Sequence, residues 1–278
     1  MSDISLSAAA RTSLLDLQRT DQVRARSSDR LASGRQINRV TDDPVGFSQS
    51  AASRKRVSDL LYLKNDTGQA LSAVETALNG VKTIEKLTQQ LRGLAVSAQN
   101  ASGSQRAEIA KQFDAIRTQI TAVAADTSYG GVSLISSVPG SIDQQVGDIS
   151  KGFVSVPGKA TDAAALGVGS ASATYNGFAT NADISAAISG LDTAVSTLRT
   201  TASQFGSKVA SLTISEKFNQ SLSQTLQAGQ DKRVNADLNQ EAANLLSTRV
   251  RAQLGQEGLR IAQQGGTAVS QLLQSVIG

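Results

Sequence analysis

A heptad seam runs through the stretch from Ala182 to Leu212 and constrains the fold more than any other feature. Its apolar residues are separated by alternating steps of four and three, the spacing at which helices wrap around partner helices. They are Ile184, Ile188, Leu191, Val195, Leu198, Ala202, Phe205, Val209 and Leu212. As a helix this stretch would be about 43 Å long, and the strict alternation expected of a strand is absent. One stripe of this length cannot bury itself, so other helices of this chain or of another chain must cover it.

The composition favours a helical core built from small and aliphatic side chains. Only 3% of the 278 residues are aromatic, and only 3 are proline, so long helices can run without interruption. The absence of Cys and His excludes thiol nucleophiles, disulfides, histidine-based acid–base catalysis and nearly all zinc or haem ligation. The net charge of +4 is small and interleaved with acids, and it lacks neighbouring stacking aromatics, which favours a solvated helix surface over a nucleic-acid site.

Two further strong helices are predicted in the part of the chain that precedes the seam. The first runs from about Pro44 to Ala98, with Asp43 as its N-cap, and Asn79-Gly80 marks a possible bend. The second begins at Ser104 after a tight link. Its apolar positions are Ile109, Phe113, Ile116, Ile120 and Val123. A short link makes these two helices antiparallel neighbours, so both are candidates to cover the seam.

The pattern changes after Thr127. The stretch from Tyr129 to Ile135 is β-branched and flanked by glycine, which is typical of a strand or the start of a hairpin. Residues 137–180 contain the remaining prolines, many Gly and Ser, and a weak alternation at Phe153–Val156. We interpret this region as a small β-hairpin or loop insert on the surface.

Weaker helices are predicted at both ends. The first, over residues 6–33, has a seam at Leu6, Ala10, Leu14, Leu17 and Leu31, but Asp21, Arg24 and Ser28 occupy its centre, and Gly34 ends it. The last begins at about Ala236, after a break at Gln227–Lys232. A polar-centred seam indicates a helix that becomes ordered when it meets partners. The final apolar cluster of Val269, Leu272, Leu273, Val276 and Ile277 predicts an interface.

Together these patterns predict a mostly α fold: a long antiparallel helical coiled-coil bundle with a small β-hairpin or loop insert and paired terminal helices. Residues 1–43 and 236–278 would form the paired ends, and residues 44–135 and 181–235 the helical bundle domain. Residues 136–180 would be a small variable surface insert.

Several short motifs, in order along the chain, resemble those of bacterial flagellin, and most closely the compact flagellins of α-proteobacteria. Arg30-Leu-Ala-Ser-Gly-Arg-Gln-Ile-Asn38 with Asp42-Asp43 resembles the family's "RLSSGxxIN…DD". Leu91–Val96 and Tyr129–Leu134 are similar to its "LAV" and "(F/Y)NGxxLL" stretches. Near the C-terminus, Val234–Leu238 with Glu241, and Gln253-Leu-Gly255 with Ile261-Ala262, are similar to "DADLAxES…QLGxQALxIA".

The resemblance implies a structural subunit that polymerises into the flagellar filament for swimming motility. Members are exported unfolded by a signal-less type III route, and the N-terminus here has no Sec-type signal. The implied location is outside the cell, in the filament. The implied partners are further copies or other flagellins, hook-junction and cap proteins, and an export chaperone, with no cofactor, metal, nucleic acid or membrane. The hook–filament junction proteins share the N-terminal pattern, so a junction protein of the same flagellum is the alternative.

In a filament subunit, the terminal seams are the expected assembly interface. The residues predicted to form it are Leu14, Leu17, Leu31, Leu245, Leu259, Leu272, Leu273 and Val276. An ordinary place in the core of the same chain is the competing interpretation for each. An enzyme would have to rely on carboxylates such as Asp42 and Asp43, or on Glu216 with Lys217, and Gly167-Val-Gly169 has no nucleotide-binding context. We therefore predict no enzymatic activity, and a coiled-coil adaptor is the remaining non-filament reading.

Overall fold

The computed structural model describes residues 8–147 and 152–277, with the backbone alone at residues 8, 9, 262 and 266–277. The described elements are α1 (Ala8–Ser33), α2 (Pro44–Gln99), α3 (Gly103–Asp126), β1 (Ser141–Gln145), β2 (Phe153–Pro157), a 3₁₀ turn (Asn176–Phe178), α4 (Asn181–Val234) and α5 (Leu238–Ile277). Long helices with one small hairpin confirm the predicted fold class.

The helices begin and end where their capping residues dictate. Asp43 accepts hydrogen bonds from the amides of Val45 and Gly46 at 3.1 and 2.9 Å, so α2 begins at Pro44 as predicted. Gly34, at a φ of +68°, ends α1 because a left-handed residue there costs glycine little. Thr180 and Asp183 cap the start of α4 reciprocally.

The predicted break at Gln227–Lys232 is wrong. Helix α4 continues to Val234, and the chain turns at 235–237 instead. A single glycine in the stretch, Gly229, costs a helix only about 1 kcal/mol, which neighbouring residues can offset. The stop comes where Asp237 accepts hydrogen bonds from the amides of Asn239 and Gln240 and starts α5.

One of two compact units comprises residues 56–224 and contains the main core. The seam of α4 lies in this core, with Ile184, Leu191, Leu198 and Leu212 at most 1% exposed. The same cluster includes side chains of α2 and α3, among them Val74, Val81, Ile84, Leu91, Phe113 and Ile120. Other helices of the same chain therefore cover the seam.

The hairpin region differs from its prediction in two ways. Tyr129 and Val132 form only an isolated bridge around a Gly130–Gly131 turn, and the true strands, β1 and β2, pair antiparallel with Ile142 opposite Val156. Residues 136–180 were also expected on the surface, yet many of their apolar side chains are buried in the main core. These are Val156, Ala163, Leu166, Val168, Ala171, Tyr175 and Phe178.

Ring packing explains this burial. The rings of Phe113 and Phe178 pack edge to face with centroids 5.4 Å apart, and Tyr175 lies beside both. The aromatic side chains of the insert thus pack into the core beside Phe113 of α3.

The other compact unit joins the two ends of the chain, residues 1–55 and 225–278. It contains α1 and α5, together with the start of α2 and the end of α4. Its boundaries fall at 55/56 and 224/225, whereas the sequence analysis placed the domain boundaries at 43/44 and 235/236.

Candidate assembly surface

Helices α1 and α5 pair along their length in an antiparallel arrangement. Near one end, the Arg30 guanidinium donates a hydrogen bond to the Glu241 carboxylate at 3.0 Å. Further along, Leu17 lies so close to Gly255 that a Cβ on that glycine would be 3.2 Å from the leucine side chain. As α1 is followed towards its start, α5 is therefore followed towards its end.

A short backbone ladder fixes where the two terminal helices begin to pair. The amide of Gln36 donates to the Val234 carbonyl at 2.7 Å, and the amide of Ala236 donates to the Gly34 carbonyl at 3.0 Å. The side chains of Ile37 and Val234 are buried beside it. This ladder holds the end of α1 next to the start of α5 and sets their register.

A buried ion pair strengthens the same end. Glu241 is 7% exposed, and its partner Arg30 is half-buried. Burial acts to raise the pKa of Glu241, but hydrogen bonds from Ser27 and Arg30 outweigh it and hold that pKa below the ordinary 4.5. The carboxylate is therefore charged in the paired state.

The surface between α1 and α5 is built mainly from small and polar residues. On α1 it contains Ala10 and Ser27, which are buried, with Ser13, Leu17, Thr20 and Leu31 half-buried. On α5 it contains Glu241, Thr248 and Ala252, which are buried, with Leu245, Gly255 and Leu259 half-buried. Small side chains let the helices approach closely but bury little apolar area. The contact between α1 and α5 in the isolated chain therefore contributes little stability.

Helix α5 also has a second apolar face, which is exposed. Leu246, Val250, Leu254 and Ile261 follow one another at steps of four, four and seven, so they share one side of the helix. They are 65%, 47%, 67% and 62% exposed. On α1, Leu14, Leu15 and Val23 are likewise exposed.

The predicted interface residues thus lie in different environments. Leu17, Leu31, Leu245 and Leu259 are half-buried on the side where α1 and α5 meet, and Leu14 is exposed. The side chains of Leu272, Leu273 and Val276 lie outside the described residues. The outer face of α5 was missed, although the steps of four from Leu246 to Leu254 were a readable signal.

Asp42, Asp43 and Gly167, which were considered for other functions, have structural roles. Asp42 accepts hydrogen bonds from the amides of Asn38 and Arg39, which hold its pKa below the ordinary value, and Asp43 caps α2. Gly167 turns the chain at a φ of +71°. Within residues 8–147 and 152–277, no cluster of three acidic, His or Cys ligands could hold a metal ion. No helix in the described part of the chain is long and apolar enough to cross a membrane.

Comparison with known proteins gives consistent matches. Residues 4–138 match the family model for the bacterial flagellin N-terminal helical region. The chain is 24% identical over 276 residues to flagellin FljM of Caulobacter vibrioides, covering 99% of both chains. It is 23% identical to a flagellin of Brucella melitensis, covering 99% of this chain and all of that one. A crystal structure of Bacillus cereus flagellin superposes with a TM-score of 0.49 and 21% identity over 55% of this chain and 88% of that chain.

Proposed function

We propose that α1 and α5 form the inner assembly surface of this chain, which belongs to the bacterial flagellin family and is a structural subunit that polymerises into the flagellar filament. The observation that supports this surface is the double-sided apolar pattern of α5. One side meets α1 within the chain, and the other, from Leu246 to Ile261, is exposed. A second copy of the chain is the partner that a polymerising subunit supplies for such a face.

Simple energetics indicate how much surface assembly needs. Full burial of each large aliphatic side chain stabilises by about 1.5–3 kcal/mol. Because the four outer residues of α5 are only 47–67% exposed, burying what remains would contribute about 4–7 kcal/mol, against the roughly 4–15 kcal/mol lost in rotational and translational freedom on association. The α5 face is therefore a substantial part of the interface but needs further contacts.

The remaining predicted residues are the candidates for those contacts. Leu14 is exposed on α1, and Leu272, Leu273 and Val276 continue the apolar sequence of α5. Leu17, Leu31, Leu245 and Leu259 would act by holding α1 and α5 together in the geometry that presents the outer faces. If the outer face of α5 meets a different surface of the neighbouring copy, the contact is heterologous, and it generates an open helical filament when its rotation does not close a ring.

We extend the proposal to location and partners. The subunit would work outside the cell, in the filament, beside hook-junction and cap proteins. Before export, the outer leucines of α5 would be exposed in the cell, which gives an export chaperone a surface to cover. No observation on this chain favours the hook-junction alternative.

Seeded polymerisation tests the assembly surface. Purified full-length chain is added to filament fragments, and elongation is followed by electron microscopy and sedimentation. We expect the double variant L246Q/L254Q to raise the critical concentration at least tenfold, because two polar side chains would replace the apolar contacts. The control L238Q changes an exposed leucine on α5 outside the outer face and should elongate like the wild type.

Two results would count against the proposal. Normal elongation of L246Q/L254Q, with unchanged helicity in all variants, would exclude the outer face of α5 from the interface. Immunogold labelling of whole cells addresses the alternative, because a junction protein would be labelled at the hook end only.

A further inference from the structure

A polar cavity of about 210 Å³ lies where α1 ends and the chain turns towards α2. Four arginines and two aspartates supply its charged walls: Arg26, Arg30, Arg35, Arg39, Asp29 and Asp42. We call it the arginine pocket. All of its lining residues lie between positions 26 and 42, within a single compact unit.

Most arginines of the arginine pocket are not paired with an acidic side chain. Arg30 is paired with Glu241 at 3.0 Å. Among the described residues, the guanidinium groups of Arg26, Arg35 and Arg39 form no salt bridge and donate no hydrogen bond within the chain. Three arginines with unused donors thus line a shared space.

The aspartates do not neutralise these groups by direct contact. One Asp42 oxygen accepts hydrogen bonds from the amides of Asn38 and Arg39, at 2.9 and 2.8 Å, which fixes it in the turn. These two hydrogen bonds, more than the nearby arginines, hold the pKa of Asp42 low. Counting Glu241 with the lining acids still leaves one formal positive charge in excess around the cavity.

We propose that the arginine pocket binds an oxyanion, with Arg35 and Arg39 as its main ligands. Guanidinium groups present planar pairs of N–H donors that match the oxygens of phosphate and carboxylate groups. The oxyanion has two possible sources of the same chemistry: free phosphate in solution, or a side-chain carboxylate of a second copy of the chain. Because Arg26, Arg35 and Arg39 are exposed to solvent, salt screens their attraction for a free anion, and binding weakens as the ionic strength rises.

Calorimetric titration of the full-length monomer with inorganic phosphate, at constant ionic strength set with chloride, tests the pocket itself. We expect saturable binding to the wild type, weakened at least tenfold in R35Q/R39Q. The control R19Q/R24Q removes the same charge from exposed arginines of α1 that lie outside the pocket, and it should bind like the wild type. Equal heats for all three proteins would overturn the proposal, because the signal would then reflect charge alone. Circular dichroism verifies that the variants keep their helices.

The second arm distinguishes the two sources of the oxyanion. If the pocket receives a carboxylate from a neighbouring copy, phosphate binding is lost in filaments, and R35Q/R39Q raises the critical concentration in phosphate-free buffer. If it takes a free anion, filaments bind phosphate like the monomer, and R35Q/R39Q assembles normally. Either result supports the pocket. The monomer titration does not depend on assembly, so failure of the proposed assembly surface would leave it interpretable.

Discussion

The Asp114 carboxylate holds the turn at 170–172 against α3. Its two oxygens accept hydrogen bonds from the hydroxyl of Ser170, the amide of Ala171, and both the amide and hydroxyl of Ser172, at 2.6–3.1 Å. Burial acts to raise the pKa of Asp114, but the bonds from Ser172, Ala171 and Ser170 outweigh it and lower that pKa. The turn leads directly to the buried Tyr175 and Phe178.

We expect D114N to destabilise the chain by about 1–2 kcal/mol, because an amide group would face donors that now meet a carboxylate oxygen. Urea unfolding followed by circular dichroism measures the change. The control D126N alters an exposed aspartate at the end of the same helix and should leave the free energy of unfolding within about 0.5 kcal/mol of the wild type. A D114N variant as stable as the control would show that the turn does not depend on this carboxylate.

The Glu241–Arg30 pair predicts a pH dependence at low pH. The pKa of Glu241 is lower in the folded chain than its ordinary 4.5, so its stabilisation is present above pH 4.5 and is lost as pH falls through the folded pKa. We expect E241Q to be about 1–3 kcal/mol less stable than the wild type at pH 7, with the difference shrinking as pH falls below 4.5. Urea titrations at several pH values measure both.

A matched variant distinguishes the contribution of the Glu241–Arg30 pair from a general effect of removing a negative charge on stability. Glu257 is exposed and pairs with Arg260 on the same helix, so E257Q should change stability little at any pH. A difference between wild type and E241Q that stays constant down to pH 3 would contradict the role of the charged form.

Within α2, replacement by alanine is expected to have opposite effects on stability at two glycines, Gly80 and Gly93. A Cβ at Gly80 would lie 2.6 Å from Ile135 and 2.8 Å from Thr127, whereas a Cβ at Gly93 would meet nothing within 4 Å. Alanine improves helix propensity by up to about 1 kcal/mol at either position. At Gly80, overpacking that costs about 1–3 kcal/mol should exceed this gain. We therefore expect G80A to lower and G93A to raise the urea midpoint, and two shifts of the same sign would refute this account.

Gly80 also shows what the sequence does and does not reveal about helices. Asn79-Gly80 marked a possible bend, and α2 runs through both residues as one continuous helix from Pro44 to Gln99. The glycine is explained by the close approach of Ile135 and Thr127, two residues far away in sequence. Caps such as Asp43 and seams such as Ile184–Leu212 are local or periodic and could be predicted, whereas a tertiary approach could not.

The terminal helices show the same limit at the candidate site. The predicted seam of α1 included Leu14, Asp21 and Ser28, but the side that meets α5 has Ser13, Thr20 and Ser27, one residue earlier at each step. Hydropathy favours Leu14 for the inner side, whereas close approach to a glycine-containing partner favours small residues. Leu14 is consequently exposed, and which residues contact neighbouring copies stays a prediction.

At the scale of the whole molecule, the two compact units differ in how much apolar side chain they bury. The unit of residues 56–224 has a continuous core of Leu, Ile, Val and aromatic side chains from α2, α3, α4 and the insert. In the unit of residues 1–55 and 225–278, the described side chains buried on α1 and α5 are Ala10, Ser27, Glu241, Thr248 and Ala252. Because burial of apolar area dominates stability, the two units should open with very different free energies.

Hydrogen exchange with peptide-resolved mass spectrometry measures this difference in monomer and filament. In the monomer we expect amides of α1 and α5 to exchange at least tenfold faster than those of residues 184–212. On polymerisation, protection should rise strongly in α1 and in α5 from Leu246 to Ile261, since contacts with neighbouring copies would supply the missing burial. Residues 184–212 serve as the internal reference, because their core is already complete. If α1 and α5 were protected equally in both states, the terminal helices would be stable alone, and the outer faces would not be the surfaces that assembly buries.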